Sequence, residues 1–148
     1  LSQVAPPADA QCEVVLFNDT FTNYYEPAIG VAALELLKAV GVRAGVARHG
    51  CCGRPQISKG LLGRAREMAG ETTRSLHAHA AAGRPILFCE PSCLSAMRED
   101  VPSLLRGEER ARAEEVARSC MLVEEFLEGV GDSLPLKSKL ATVLPAGP

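Results

Sequence analysis

Two adjacent cysteines are the part of the sequence best suited to chemistry. Cys51 and Cys52 lie in the stretch 49–54, which reads His-Gly-Cys-Cys-Gly-Arg. A second thiol-bearing stretch, 89–93, reads Cys-Glu-Pro-Ser-Cys. Thiolates bind zinc and iron–sulfur clusters, and adjacent thiolates can contact one iron or bridge two. Because glycine lets the backbone approach a metal closely, the flanking glycines favour a metal-binding loop.

The cysteines allow other interpretations. A disulfide between neighbours closes a strained ring that is easily reduced, and free cysteines also pack well as small apolar residues. The chain has 148 residues and six cysteines, and its first ten residues lack the charged start and apolar stretch of a signal peptide. Reduced thiols or metal ligands are therefore favoured over structural disulfides. A catalytic thiol is disfavoured, since only His49 is near in sequence as a base.

Both thiol stretches follow predicted strands. Short apolar runs predict buried strands at 12–17, 42–47, 85–88 and 120–123. Helical periodicity predicts helices at 27–40, 58–82, 108–119 and 124–130, and another from Pro91 that breaks near Asp100 because of Pro102. Ser58 is the expected N-cap of the longest helix, and Gly41 and Gly83 are the expected stops. An apolar run at 140–144 ends the pattern.

The alternation of strand and helix predicts an α/β fold: a single domain in three layers, with a mostly parallel sheet and helices on both faces. Loops that leave the carboxyl ends of parallel strands share one edge of the sheet. Cys51, Cys52 and Cys93 should therefore become neighbours through topology. Cys93 also falls in the first turn of a helix, where free N–H groups and the helix dipole favour a thiolate.

Composition excludes several function classes. The net charge is −2, aromatic residues make up 4% of the chain and tryptophan is absent, so neither a basic surface nor a stacking surface for nucleic acid is expected. The longest apolar runs fall far short of the roughly 20 residues that span a bilayer. We expect a cytoplasmic location, with a membrane reached only through a complex of a parent protein.

Four stretches, taken together, resemble one known family. They are Asp-Thr-Phe-Thr-Asn-Tyr-Tyr-Glu-Pro at 19–27, Cys-Cys-Gly-Arg-Pro at 51–55, Ile-Ser-Lys-Gly-Leu at 57–61 and Glu-Pro-Ser-Cys at 90–93. Cys-Cys-Gly at 51–53, followed a helix and a strand later by a cysteine loop, resembles the cysteine-rich CCG domain, which occurs in heterodisulfide reductase, in the glycolate oxidase iron-sulfur subunit and in anaerobic glycerol-3-phosphate dehydrogenase. The four stretches are most similar in sequence to the iron-sulfur C-terminal region of FAD-linked D-2-hydroxy acid dehydrogenases of the lactate and glycolate type.

The resemblance implies an iron–sulfur module, of 4Fe-4S or related type, that passes electrons from a flavin to an acceptor. It implies a loose lead-in at 1–11 and a CCG-type domain at 12–148, which forms one module of a larger oxidoreductase and is not catalytic alone. The implied partners are a flavin-binding dehydrogenase domain or subunit carrying FAD and a second cysteine-rich module. The implied metal ligands are Cys51, Cys52 and Cys93, with Cys89 as a further candidate. The implied surrounding residues are His49, Gly53, Arg54, Asp19 and Glu90.

The sequence departs from the family pattern at two points. The family has a cysteine in the loop after the first strand, where this chain has Asp19 and no cysteine. Three residues, not two, separate Cys89 from Cys93. The chain therefore contains only half of the metal site that the resemblance implies. A structural zinc site of three thiolates, or a metal-free protein-interaction domain, are the alternatives.

Overall fold

The structure, a computed structural model, describes Leu1 and residues 11–130. The rest of the predicted lead-in and the apolar run at 140–144 lie outside the described residues. The strands are β1 (Val14–Leu16), β2 (Ala44–Val46), β3 (Ile86–Phe88) and β4 (Cys120–Leu122). The helices are α1 (Pro27–Ala39), α2 (Arg54–Ser58), α3 (Leu62–Ala81), α4 (Pro91–Ser95), α5 (Val101–Leu104), α6 (Gly107–Ser119) and α7 (Val123–Val130). Two π-helical turns, at Phe21–Tyr25 and Ala96–Asp100, complete the described elements.

The four described strands form one parallel sheet in the order β2-β1-β3-β4. Central strands of such a sheet are covered on both faces, which is why β1 and β3 consist only of Val, Leu, Ile and Phe. Each strand is shorter than its apolar run, but all four predicted strands are present. The predicted α/β fold with a parallel sheet is confirmed.

Side chains of β1 alternate between two hydrophobic clusters. Val15 packs in the cluster that also contains Leu76 of α3 and Val116 of α6. Leu16 packs in the other cluster, with Leu37 of α1 and residues of α7. Because successive side chains of a strand point to opposite faces, the two clusters lie on the two faces of the sheet. This arrangement confirms helices on both faces and three layers.

The longest helix begins later than its periodicity predicts. Gly60, with φ of +72°, separates the short helix α2 from α3. The expected N-cap at Ser58 is therefore wrong, since Ser58 is the last residue of α2 and α3 begins at Leu62. Leu61 and Leu62 are also about half exposed and do not lie on the buried face. The predicted stop at Gly83 is confirmed by its φ of +72°.

The predicted helix break near Asp100 is wrong. Asp100 has helical torsion angles, φ −73° and ψ −45°, and the path continues from α4 through Ala96–Asp100 into α5. Pro102 lacks an N–H and its ring would crowd the carbonyl four residues earlier. A widened π turn just before the proline accommodates both effects, so the helix bulges instead of ending.

Among residues 11–130, no helix combines the length and the apolar character needed to cross a bilayer.

Candidate metal centre

A cavity of about 440 Å³ lies at the carboxyl edge of the sheet. Its lining comes from the last residue of β2 and from the segments that follow β1, β2 and β3: Phe17, Asn18, Asp19, Thr20, Asn23, Tyr24, Val46, Ala47, Arg48, His49, Gly50, Cys51, Cys52 and Cys93. In the sheet, β2 lies on one side of β1 and β3 lies on its other side. The connections after β1 and β3 therefore diverge, and a crevice at such a switch point is the usual ligand position in parallel α/β sheets.

Three thiols meet in this cavity, as the topology predicts. The Sγ atoms of Cys52 and Cys93 lie 3.2 Å apart, and both residues are buried. The half-buried thiol of Cys51 forms a hydrogen bond with that of Cys52. Cys93 lies in the first turn of α4, where its position is fixed by Glu90, whose carboxylate accepts a 3.0 Å hydrogen bond from the Ser92 N–H.

The double-cysteine loop directs backbone N–H groups at its own sulfurs. The N–H groups of Cys52 and Gly53 approach the Cys51 sulfur, and the N–H of Arg54 approaches the Cys52 sulfur. Gly53 has φ of +83°, a left-handed conformation that favours glycine and turns the chain into α2. Such a row of donors stabilises negative charge on sulfur.

Gly50 allows the loop to approach α3 closely. A Cβ at this position would lie 3.0 Å from Oγ1 of Thr72. That hydroxyl donates a 2.9 Å hydrogen bond to the carbonyl of Cys51 and so holds the loop against the helix. Thr72 has no distinguishing signal in the sequence, because a threonine inside a helix is usually a core or surface residue.

Both loop thiols are protonated at neutral pH when no metal is bound. The hydrogen bond to Cys52, together with burial, raises the pKa of Cys51 well above its ordinary value. For Cys52, the Cys51 thiol lowers the pKa, but the hydrogen bond with Cys93 and burial outweigh it and raise the pKa to about 11. A metal that binds here must therefore displace protons.

His49 connects two of the loops around the cavity. Its Nε2 accepts a 2.8 Å hydrogen bond from the backbone N–H of Asn18, and its Nδ1 donates to the carbonyl of Gly50. Burial lowers the pKa of the imidazole. Because Nε2 accepts from an N–H and Nδ1 faces a carbonyl, the ring proton lies on Nδ1. Both nitrogens are engaged within the protein, so His49 positions the loop and does not offer a free ligand atom.

Asp19 lies in the loop after β1, where the CCG resemblance predicts a cysteine, and its carboxylate is turned onto its own loop. It is 3% exposed and accepts hydrogen bonds from the N–H groups of Phe21 (2.8 Å) and Thr22 (3.0 Å) and from the Thr22 hydroxyl (2.7 Å). These bonds begin the π turn Phe21–Tyr25. The structure thus gives Asp19 a capping role in place of a ligand role.

Two other candidate residues, Arg54 and Cys89, do not line the cavity. Arg54 forms a 2.9 Å ion pair with Asp100, which links α2 to the π turn that follows α4. Cys89 packs against the hydrophobic cluster on the other face of the sheet, which also contains Leu16 and Leu87. The structure therefore does not bring Cys89 to the other three cysteines, and burial raises its pKa to about 11.

The donors suit a thiophilic metal in kind but are incomplete in number. Across residues 11–130, no three His, Cys, Asp or Glu side chains are arranged to hold a metal ion together. One further polar atom at the cavity is unsatisfied: Oδ1 of Asn18 is buried and has no hydrogen-bond partner in the described part of the chain. The chain thus supplies three sulfurs and a row of N–H donors beside the open side of the cavity.

The fold and cavity define an α/β domain with a cysteine-lined site at the carboxyl edge of a parallel sheet. Its sequence is 30% identical to D-2-hydroxyglutarate dehydrogenase of Pseudomonas putida over 101 residues, which are 66% of this chain and 10% of that protein. It is 26% identical to D-2-hydroxyglutarate dehydrogenase of Escherichia coli over 123 residues, 83% of this chain and 12% of that protein.

The chain therefore spans about a tenth of the length of the curated relatives it matches. No protein-family model matches the sequence, so membership of the CCG family stays a prediction. No solved structure matches it either. The similarity supports a region related to hydroxy acid oxidoreductases.

Proposed function

We propose that this domain is the iron–sulfur electron-transfer module of an FAD-linked D-2-hydroxy acid dehydrogenase and passes electrons from flavin to an acceptor. The observation that carries the proposal is the meeting of Cys51, Cys52 and Cys93 at a crevice of the sheet. The similarity to D-2-hydroxyglutarate dehydrogenases supports the reaction class. In this proposal residues 12–148 form one CCG-type module of a larger, cytoplasmic protein or membrane-associated complex.

The residues around the cavity have distinct roles in this proposal. The thiolates of Cys51, Cys52 and Cys93 bind the group, and the N–H groups of the loop stabilise their negative charge. His49 and Thr72 hold the loop in place. A bound iron–sulfur cluster supplies one-electron transfer, for which FAD in a partner domain is the electron source.

The incomplete donor set is consistent with a site shared between modules. Asp19 is committed to capping and Cys89 lies on the other face of the sheet, so neither completes the set within this domain. A second cysteine-rich module, or another part of the dehydrogenase, is then the source of the remaining ligands.

The test is the iron and acid-labile sulfide content of the intact dehydrogenase, purified without oxygen. We expect a visible absorbance band and iron in the wild type, and loss of most of the iron assigned to this module in Cys52→Ser and Cys93→Ser. Cys120→Ala is the matched control, because Cys120 is buried in the same cluster but does not line the cavity. Iron-free wild-type protein refutes the proposal, and stoichiometric zinc would replace it with a structural zinc site.

A further inference from the structure

Four large apolar side chains, two in the π turn Phe21–Tyr25 and two on α1, are exposed. Phe21, Tyr25 and Ile29 are 57%, 72% and 51% exposed, and Leu36 is 36% exposed. The rings of Phe21 and Tyr25 contact each other with centroids 5.9 Å apart. Ile29 and Leu36, seven residues apart, lie on the same side of α1. We call these four residues the α1 strip.

The α1 strip extends beyond the part of the helix that packs on the sheet. That part is formed by Ala33 and Leu37, which are buried in the core. A helix on the surface of a domain normally carries one apolar face, with polar residues on the other. The apolar arc of α1 is wider than its buried part, because Ile29 and Leu36 lie next to Ala33 on the helix surface but are exposed, and only Glu35 and Lys38 are charged.

The strip begins at the mouth of the cavity. Tyr24 is 76% exposed and lines the cavity next to Asn23, within the same π turn as Phe21 and Tyr25. A protein that covered the strip would therefore also reach the open side of the thiol site. Exposed aromatic and aliphatic side chains in one patch are typical of protein interfaces.

We propose that the α1 strip and the cavity mouth are the docking surface for another module of the same dehydrogenase. This inference rests on the proposed function. The relatives carry about nine-tenths of their length outside the matched region, which provides such a module. A membrane surface is disfavoured, because membrane-binding helices carry several basic residues and α1 carries one lysine beside one glutamate.

A photo-cross-link identifies what covers the strip. Tyr25 is replaced by p-benzoylphenylalanine in the intact dehydrogenase, and the cross-linked peptides are identified by mass spectrometry. We expect the major cross-link to join position 25 to a peptide outside these 148 residues but within the same dehydrogenase. The control carries the same amino acid at Leu62, which is 51% exposed at the start of α3. That helix lies on the other face of the sheet, and we expect at least a fivefold lower yield there.

Every other cross-link overturns the docking proposal. A link to residues 2–10 or 131–148 means that the chain covers its own strip, and a link between two copies of position 25 means self-association. Yields no higher than those of the Leu62 control mean that nothing docks there.

The metal analysis is independent of this result. If the protein contains iron but gives no cross-link at position 25, the electron-transfer proposal stands and the docking proposal fails. If the protein contains no iron but gives the expected cross-link, the docking proposal stands and the electron-transfer proposal fails.

Discussion

Removal of the Asp19 carboxylate distinguishes a capping residue from a metal ligand. In Asp19→Ala the N–H groups of Phe21 and Thr22 and the Thr22 hydroxyl lose a buried, charged acceptor. Hydrogen bonds to charged groups each contribute about 1.5–3 kcal/mol, and part of the loss is recovered when water reaches the freed groups. We expect the loop 18–25 to lose about 2–4 kcal/mol of local stability.

Amide hydrogen exchange of the peptides that cover 18–25 measures this local stability. A loss of about 2–4 kcal/mol accelerates exchange of the Phe21 and Thr22 amides about 30- to 700-fold, at a factor of ten per 1.4 kcal/mol. Asp19→Asn keeps an acceptor oxygen for both N–H groups, and Thr22→Val removes only the hydroxyl bond. Each of these matched variants should lose about 1 kcal/mol, equivalent to about fivefold faster exchange.

The opposite pattern would refute the capping role. If Asp19→Ala left exchange over 18–25 unchanged but lowered the iron content as much as Cys52→Ser does, Asp19 would be acting as a ligand. If Asp19→Asn were as damaging as Asp19→Ala, charge and not hydrogen-bond acceptance would be the dominant effect.

Three further predictions concern the loop and the core. Gly53→Ala should lower the free energy of unfolding by about 1–2 kcal/mol, because φ at this position is +83°. Its control is Gly63→Ala, in an open part of α3, which should be neutral or stabilising. Thermal unfolding measures both variants. Arg54→Ala removes a partly exposed ion pair with Asp100 and should change stability by less than about 1 kcal/mol without loss of iron, as denaturant unfolding and metal analysis would show. Burial raises the pKa of Cys120 from 9.0 to about 12. The folded state therefore holds this proton more tightly than the unfolded state, and the free energy of unfolding should fall as pH rises from 9 towards 12. Denaturant unfolding across this range should lose this contribution to the pH dependence in Cys120→Ala.

The meeting of the three thiols could be predicted because it depends only on topology. In a parallel sheet the carboxyl ends of all strands share one edge, so residues after β1, β2 and β3 meet whatever their helices do. The position of Cys93 in the first turn of a helix followed from Pro91, which favours the start of a helix. These features need no knowledge of side-chain packing.

Features that depend on single positions could not be predicted in this way. Cys89 follows Phe88 at the end of β3, and alternation along a strand places neighbours on opposite faces, but the exact end of a strand cannot be read from an apolar run. The helix around Pro102 continues because a widened turn absorbs the missing hydrogen bond, which composition does not reveal. The hydrogen bonds of the Asp19 carboxylate could not be predicted either, because the directions of the nearby N–H groups are defined only in the folded loop.

The floor of the cavity has a mechanical consequence for the site above it. The ring of Phe17 stacks on His49 with centroids 3.8 Å apart and on Phe88 with centroids 4.4 Å apart. These rings come from the end of β1, the loop after β2 and the end of β3, so one column of rings crosses three segments that bear the site. Close-packed interiors transmit displacement instead of absorbing it. We therefore expect a substitution that displaces one of these rings to shift the other two, and with them the segments that follow β1, β2 and β3.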